Sequence, residues 1–382
     1  MNKGSDYAVS IIVPLYHGEQ YIPRLIEMTE ACQSILEDSV KLELVLSNDN
    51  PEKDIEEDIF CDKIKILVLN TEINRGIQGA RIRGLEAGSG EFVVFLDQDD
   101  ILYPDYIRSQ LLHIGDADAV VCRCIHEGRQ FYNADMKFEE VITKEYLMTK
   151  GDPIISAGQV MLRRTSIPKA WLDNIMKTNC ADDYLLWLCM MAENAEFALN
   201  QDIVFEHVVN GENLSLDYKR MVLSLDEMYE ILSQNRVFDG TELEKISSMR
   251  KNALFDWITL LEKFREMFFV LNQMMECREK GHSVGAYLKE NGIQRVAIYG
   301  DGYLGKRLRG ELKECCVETL FFIDRNADYL TEEIPVYKLE EAPDHIDAVI
   351  ISLVRNFDAV RKALKDKYNV GIYTIGEIAE ET

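Results

Sequence analysis

The sequence predicts an α/β protein made of two unequal sheets joined by a helical stretch. Three observations predict it. Short β-rich runs alternate with helical ones from Tyr7 to about Ser215, residues 216–292 are helical in pattern without a proline, and a strand, glycine turn, helix, strand series restarts at Ile293. Such alternation marks strands laid side by side with helices packed on their faces.

The elements follow in order. The first strand, Ala8 to Val13, stops at Pro14, which has no N–H to give a central ladder. A helix is expected over roughly Tyr21 to Leu36, then strands at Leu42–Leu46 and Ile64–Leu69. Ile77 to Ala87 reads as a helix stopped by Gly88-Ser89-Gly90, and Glu91 to Leu96 as the next strand. In the last region the strands are Arg295–Tyr299, Thr319–Ile323 and Ala348–Leu353, with helices at Leu304–Glu314 and Ala359–Tyr368. The expected parts are therefore 1–215, a helical connecting region at 216–292, and a small α/β domain at 293–382.

Composition narrows the function. A chain of 382 residues exceeds one typical domain. With 47% hydrophobic and 29% charged residues, wholesale disorder is excluded. Lys plus Arg is 42 and Asp plus Glu is 67, a net charge of −25. That excludes nucleic acid as a phosphate-bound partner and argues against a broad basic face on anionic lipid. The cysteines are scattered; Cys122/Cys124 and Cys315/Cys316 lack the spacing of a zinc or redox site. With no leader at the start of the sequence, they read as free thiols in a reducing cytosol. No apolar run of about 18 residues occurs, so no transmembrane segment is expected. A cytoplasmic location follows, with attachment to the inner membrane face left open.

In open α/β sheets, ligands gather outside the carboxyl ends of the strands. The first strand runs into Pro14-Leu15-Tyr16-His17-Gly18-Glu19, the second into Ser47-Asn48-Asp49-Asn50-Pro51, and the strand after Gly90 into Asp97-Gln98-Asp99-Asp100. Three carboxylates within four residues repel unless a cation or strong donors sit between them. Carboxylate oxygens suit Mg²⁺ or Mn²⁺, which keep positions open for substrate phosphates. The plain alternative is a solvated acidic turn ahead of Pro104-Asp105.

Several ordered blocks stand out in the stretch from 7 to 215: Val9-Ser10-Ile11-Ile12-Val13-Pro14-Leu15-Tyr16, then Asn74-Arg75-Gly76 with Ala80-Arg81 and Gly84, then Ala87 to Phe92, then Phe95-Leu96-Asp97-Gln98-Asp99-Asp100 with Pro104-Asp105. Together they make the stretch resemble the family 2 glycosyltransferases of the GT-A fold. His17 stands where that family usually has Asn. The resemblance implies a GT-A nucleotide-sugar-binding domain using a UDP-sugar with Mg²⁺ or Mn²⁺. It places Pro14 and Tyr16 beside the donor base, Asp49 on the uracil ring, Arg81 near the phosphates, and Asp97 and Gln98 along the donor. Asp99 would be the direct metal ligand, assisted by Asp97, with Asp100 a lesser candidate. Without the resemblance, Asp49 reads as an Asx-turn and Arg81 as a surface arginine.

Ala181-Asp182-Asp183-Tyr184 resembles the family's Glu-Asp motif, whose Asp is the catalytic base. Aligning Tyr184 and Trp187 puts the base at Asp183, and a frame one residue away puts it at Asp182. Both could instead cap a helix N-terminus. His207 lies where many members have a His that reaches the metal or diphosphate, yet the spacing to Leu214-Ser215 gives that position to Asn210.

Gly300, Gly302 and Gly305 form a GxGxxG between a strand and a helix, and Asp324 follows the next strand where a ribose-binding acid would sit. The unit is similar to the Rossmann-like modules appended to bacterial polysaccharide-biosynthesis enzymes. It is too short for a two-half dinucleotide fold and lacks a Tyr-x-x-x-Lys, so a binding or scaffolding role is expected, with a purely structural turn as the alternative. Leu254, Trp257, Ile258, Leu261, Phe264, Phe268 and Leu271 recur at helical spacing; a helix buried between the two α/β parts is expected, and a homodimer seam or membrane-surface helix is the alternative.

The functional expectation is a metal-dependent inverting glycosyltransferase. It would move a sugar from a nucleotide-sugar donor to a hydroxyl of a bacterial cell-surface polysaccharide or lipid-linked precursor. A catalytically silent nucleotide-sugar scaffold and a bifunctional enzyme with an NAD-binding C-terminal module are the alternatives. The Asp97–Asp100 group and the Asp182-Asp183 pair favour the enzyme, because a silent domain needs neither.

Overall fold

A computed structural model describes residues 9–210, 217–355 and 357–381. Ala8, Leu214, Ser215 and the boundary expected at 215/216 lie outside the described residues. The chain divides into two compact units, Met1–Leu254 and Phe255–Thr382.

The first unit holds a nine-stranded sheet. Its strands are β1 (Val9–Leu15), β2 (Leu42–Asn48), β3 (Lys65–Leu69), β4 (Phe92–Phe95), β5 (Ile101–Leu102), β6 (Ala119–His126), β7 (Arg129–Gln130), β8 (Val160–Arg163) and β9 (Phe197–His207). The spatial order is β3-β2-β1-β4-β8-β6-β9-β5, with β7 on β6. The run from β3 to β4 is parallel. Beyond it, β8 is antiparallel to both β4 and β6 while β6 runs parallel to β9, so the largely parallel sheet is mixed. β1 and β2 are buried at every residue, which is why they read as mostly apolar runs. β1 pairs with β2 on one side and β4 on the other, so the chain reverses its direction across the sheet between β1 and β4. That is the crevice in which such sheets bind ligands.

Glu43 breaks the apolar pattern of β2 for a reason. It is buried and accepts from Ser10 Oγ at 2.7 Å and Gly90 N at 3.2 Å, with Lys65 Nζ at 3.6 Å. It thereby fastens the Gly88–Gly90 turn that delivers β4. Gly90 must be glycine, since a Cβ there would stand 2.5 Å from Ser10 N.

The second unit carries a five-stranded sheet, β10 (Arg295–Tyr299), β11 (Glu318–Ile323), β12 (Val336–Tyr337), β13 (Ala348–Ile351) and β14 (Gly371–Thr374). It is parallel throughout in the order β12-β11-β10-β13-β14.

The stretch 216–292 forms the helices Tyr218–Gln234, Gly240–Glu279 and Val284–Glu290. It is shared between two cores: Leu225, Met228, Leu232, Ile246 and Met249 belong to the first unit's core, Met274, Val284 and Leu288 to the second's. The expectation that the apolar stretch lies buried is corrected: Phe255 is 68%, Phe264 48% and Phe268 65% exposed. Met267, Val270, Leu271 and Met274 meet the second unit's core from another face of that helix. Periodicity reveals an apolar stripe but not what covers it. Among the described residues, no helix is long and apolar enough to cross a membrane.

Candidate active site

The ends of β1, β2 and β4 bring the first group of expected residues together. After β1, Tyr16 is half exposed, and His17 adopts a positive φ of 51° with Nδ1 3.2 Å from Asn50 Nδ2. Gln98 clasps this turn from the β4 side: its Oε1 accepts from Tyr16 N at 3.1 Å and its Nε2 donates to Tyr16 O at 3.4 Å. Gln98 thus holds the two loops in register. Arg24, which sequence reasoning missed, donates to the carbonyls of Gln98 and Asp100 at 3.0 and 3.4 Å.

Asp49 is buried after β2. Its Oδ1 accepts from Arg75 N at 3.0 Å and lies 4.0 Å from Arg83 Nη1. Burial pushes its carboxyl up, and the Arg75 N–H and Arg83 draw it back.

Arg81 is not a surface arginine. It projects from the helix Gly76–Ala87 and is only 2% exposed. Its Nη1 donates to Asp182 Oδ2 and its Nη2 to Asp97 Oδ1, both at 2.7 Å. Burial opposes its charge, but Asp182 and then Asp97 outweigh it and hold the guanidinium protonated. This fork joins the two acidic motifs, which lie 85 residues apart in sequence from Asp97 to Asp182.

The four residues after β4 divide their tasks. Asp97 faces Arg81. Asp100 is fully buried, with one oxygen accepting from His207 Nδ1 at 2.9 Å and Val208 N at 3.0 Å and the other from Ser156 Oγ at 2.6 Å. It anchors the end of β9. Asp99 takes a bond from Asn210 Nδ2 at 2.7 Å. Its carboxyl is pushed up to about 6, by burial first and then by Asp100 and Asp97.

His207 therefore pairs with Asp100, and Asn210 reaches Asp99. Burial works against the charge of His207, yet the bond to Asp100 prevails and raises it. The ring of His126 stacks on it at 5.3 Å between centroids.

Among the described residues, no group of three or more His, Cys, Asp or Glu is arranged to hold a metal ion. The donor chemistry nevertheless fits a hard cation that keeps most positions for substrate. Asp99 offers a carboxylate whose charge is disfavoured by burial and by two neighbouring carboxylates, a situation a cation relieves.

The second acidic pair opens the helix Asp182–Ala192. Asp182 is 3% exposed and spends its side chain on Arg81, while its carbonyl accepts from Trp171 Nε1 at 2.7 Å. Asp183 is partly exposed, and Oδ1 accepts from Tyr184 N at 2.8 Å. Its carboxyl is raised to about 7, by burial first and then by Asp182. Asp152 also lies close enough to feel Asp183, and burial pushes it well up. Nothing in Gly151-Asp152-Pro153 signals that proximity in the sequence.

The second unit's glycine turn is built from its own backbone. Gly300 has a φ of +98°, and a Cβ on Gly305 would stand 2.1 Å from Gly300 O. Asp324, expected on a ribose, accepts from Asp301 N at 3.0 Å and Asn326 N at 2.9 Å, one bond to each oxygen. Gly302 differs, since a Cβ there meets open space.

Residues 10–167 match the family model described as Glycosyl transferase family 2. A Haemophilus influenzae protein described as an uncharacterized glycosyltransferase is 33% identical over 209 residues, covering 52% of this chain and 76% of that protein. The Escherichia coli UDP-Glc:alpha-D-GlcNAc-diphosphoundecaprenol beta-1,3-glucosyltransferase WfgD is 27% identical over 201 residues, covering 51% of this chain and 74% of WfgD. An uncharacterized glycosyltransferase of Rickettsia felis is 24% identical over 262 residues, or 67% of this chain, and the chain spans only 41% of that relative's length.

Proposed function

The chain belongs to glycosyl transferase family 2, and on that footing we propose that it moves a sugar from a UDP-sugar to a hydroxyl of a bacterial cell-surface glycan or its lipid-linked precursor, with inversion at the anomeric carbon. One observation supports this reading above the others. Arg81 ties Asp97, at the donor end of the sheet, to Asp182, beside the partly exposed Asp183. A donor-side group and a base are thus held in one constellation.

Asp183 is the proposed base, because Asp182 is committed to Arg81. The acceptor oxygen attacks the anomeric carbon as its proton passes to the Asp183 carboxylate. The bond from that carbon to the diphosphate oxygen breaks, and the electron pair leaves with the diphosphate. A carboxyl raised to about 7 is well matched to taking a proton near neutral pH. Tyr16 and Asp49 border the proposed uracil site. Asp99, with Asp97, would hold Mg²⁺ or Mn²⁺, whose charge stabilises the departing diphosphate. For Phe255–Thr382 we propose a binding or scaffolding role without redox chemistry, since Asp324 is engaged by the turn itself.

Calorimetry with UDP and Mn²⁺ tests the donor side. Divalent-dependent binding is expected for the full chain and lost in Asp99→Ala or with a chelator. Equal affinity in all three would overturn the metal assignment, and no UDP binding under any condition would overturn the donor.

A further inference from the structure

The helix Gly240–Glu279 carries a feature that sugar transfer does not use. Leu254, Trp257, Leu261, Phe264, Phe268, Leu271 and Met275 are separated alternately by three and four residues, a strict heptad seam sustained over three repeats. Leu254, Leu261, Phe264, Phe268 and Met275 are between 43% and 65% exposed. Phe255, Ile258 and Phe269 widen the apolar surface along the same helix.

A surface helix normally spends its apolar stripe on its own core. This one already does so through Met267, Val270, Leu271 and Met274. Leu271 is shared between that core and the seam, and the exposed seam side chains Leu254, Leu261, Phe264, Phe268 and Met275 are additional. The exposed seam side chains, with Phe255, Ile258 and Phe269 beside them, sum to roughly 800 Å² on one copy, of which the seam itself supplies roughly 500 Å². It also exceeds the few hundred Å² of a typical exposed patch on a monomer.

We propose that this stripe joins two copies of the chain through a two-helix coiled coil, independently of the donor site. A two-fold contact needs one surface that matches itself, and a heptad seam does so by construction. Lipid fits less well. A helix lying on a membrane carries a cationic polar face, whereas here Glu262 and Glu266 pair with Arg355 beside the stripe, Arg355 Nη2 lying 2.6 Å from Glu266 Oε1. The net charge of −25 opposes an anionic surface further. That charge also sets a signature: two such chains repel, so self-association tightens as salt is raised from low values.

The test is sedimentation velocity of the full chain over a micromolar concentration series at low and moderate salt. The wild type is expected at dimer mass. Leu261→Glu with Phe268→Glu is expected to raise the dimer dissociation constant by about 100-fold or more, because each interface then buries unpaired carboxylates. Circular dichroism and UDP affinity, measured on the same variant, are expected to match wild type. Thr259→Glu, exposed on another face of the helix, is expected to remain dimeric. A wild type that sediments as a monomer overturns the proposal. So does a double variant that stays dimeric, or a Thr259→Glu that dissociates. Flotation of monomeric wild type with phosphatidylglycerol vesicles would overturn it in favour of lipid.

Discussion

Asp182 and Asp183 are adjacent in sequence yet have opposite surroundings. One is buried against Arg81 at 2.7 Å, and the other is partly exposed and accepts from Tyr184 N. Asp183→Asn should therefore leave folding and UDP affinity intact while transfer falls by roughly 10²-fold or more, measured as kcat against calorimetric affinity. Asp182→Ala should instead destabilise the first unit by about 3 kcal/mol, read from urea unfolding, because the Arg81 charge loses its more buried partner. A dead but stable Asp182→Ala would move the base by one residue. The raised Asp183 carboxyl also fixes two pH dependences. As a base it must be ionised, so kcat/KM should climb as pH rises through about 7 and then level. For stability the sign is the reverse. The folded chain holds this proton up to about 7 and the unfolded chain only to about 3.8, so the contribution is full below 3.8 and lost as pH rises through 7. The gain in Tm of Asp183→Asn over wild type should accordingly be larger at alkaline than at acidic pH in paired calorimetric scans.

At the scale of single elements, the glycine turn after β10 separates what a motif means structurally from what it means for a ligand. Gly305 is required by packing, since a Cβ would overlap Gly300 O at 2.1 Å. Gly305→Ala should lower the stability of the second unit by about 1–3 kcal/mol, the usual cost of overpacking. Gly302→Ala should change it by less than about 1 kcal/mol, because open space and an extended backbone receive the methyl. Thermal unfolding of the two variants distinguishes them. The GxGxxG was legible in the sequence, but the engagement of Asp324 by two backbone N–H groups was not, because hydrogen bonds that close a turn leave no trace in residue spacing.

For the molecule as a whole, the natural cut follows the core and not the end of the sheet. Leu225, Met228, Leu232, Ile246 and Met249 complete the first unit's core, although they follow β9. A chain ending at 254 should fold and bind UDP as the full chain does. One ending at 215 should aggregate or unfold at lower temperature, since the removed side chains each contribute about 1.5–3 kcal/mol of burial. Equal solubility and Tm for the two truncated chains would show that these helices are dispensable.

Residue order alone determined much of this protein. Apolar runs set the strands β1 to β4, β10, β11 and β13, because strands buried in a sheet are largely apolar, whereas the short β12 and β14 were not legible in the sequence. The blocks from Val9 to Tyr16 and Phe95 to Asp100 lie at strand ends beside a reversal of sheet order, where such sheets form a crevice. What the chain order could not decide was pairing at a distance. The antiparallel insertion of β8 between β4 and β6, the fork of Arg81 onto Asp97 and Asp182, the choice of Asn210 over His207 for Asp99, and the nearness of Asp152 to Asp183 join segments tens of residues apart. Each depends on which side chains the folded sheet turns toward one another. Local sequence fixes an element's period and its ends, and only the packed tertiary structure fixes its neighbours.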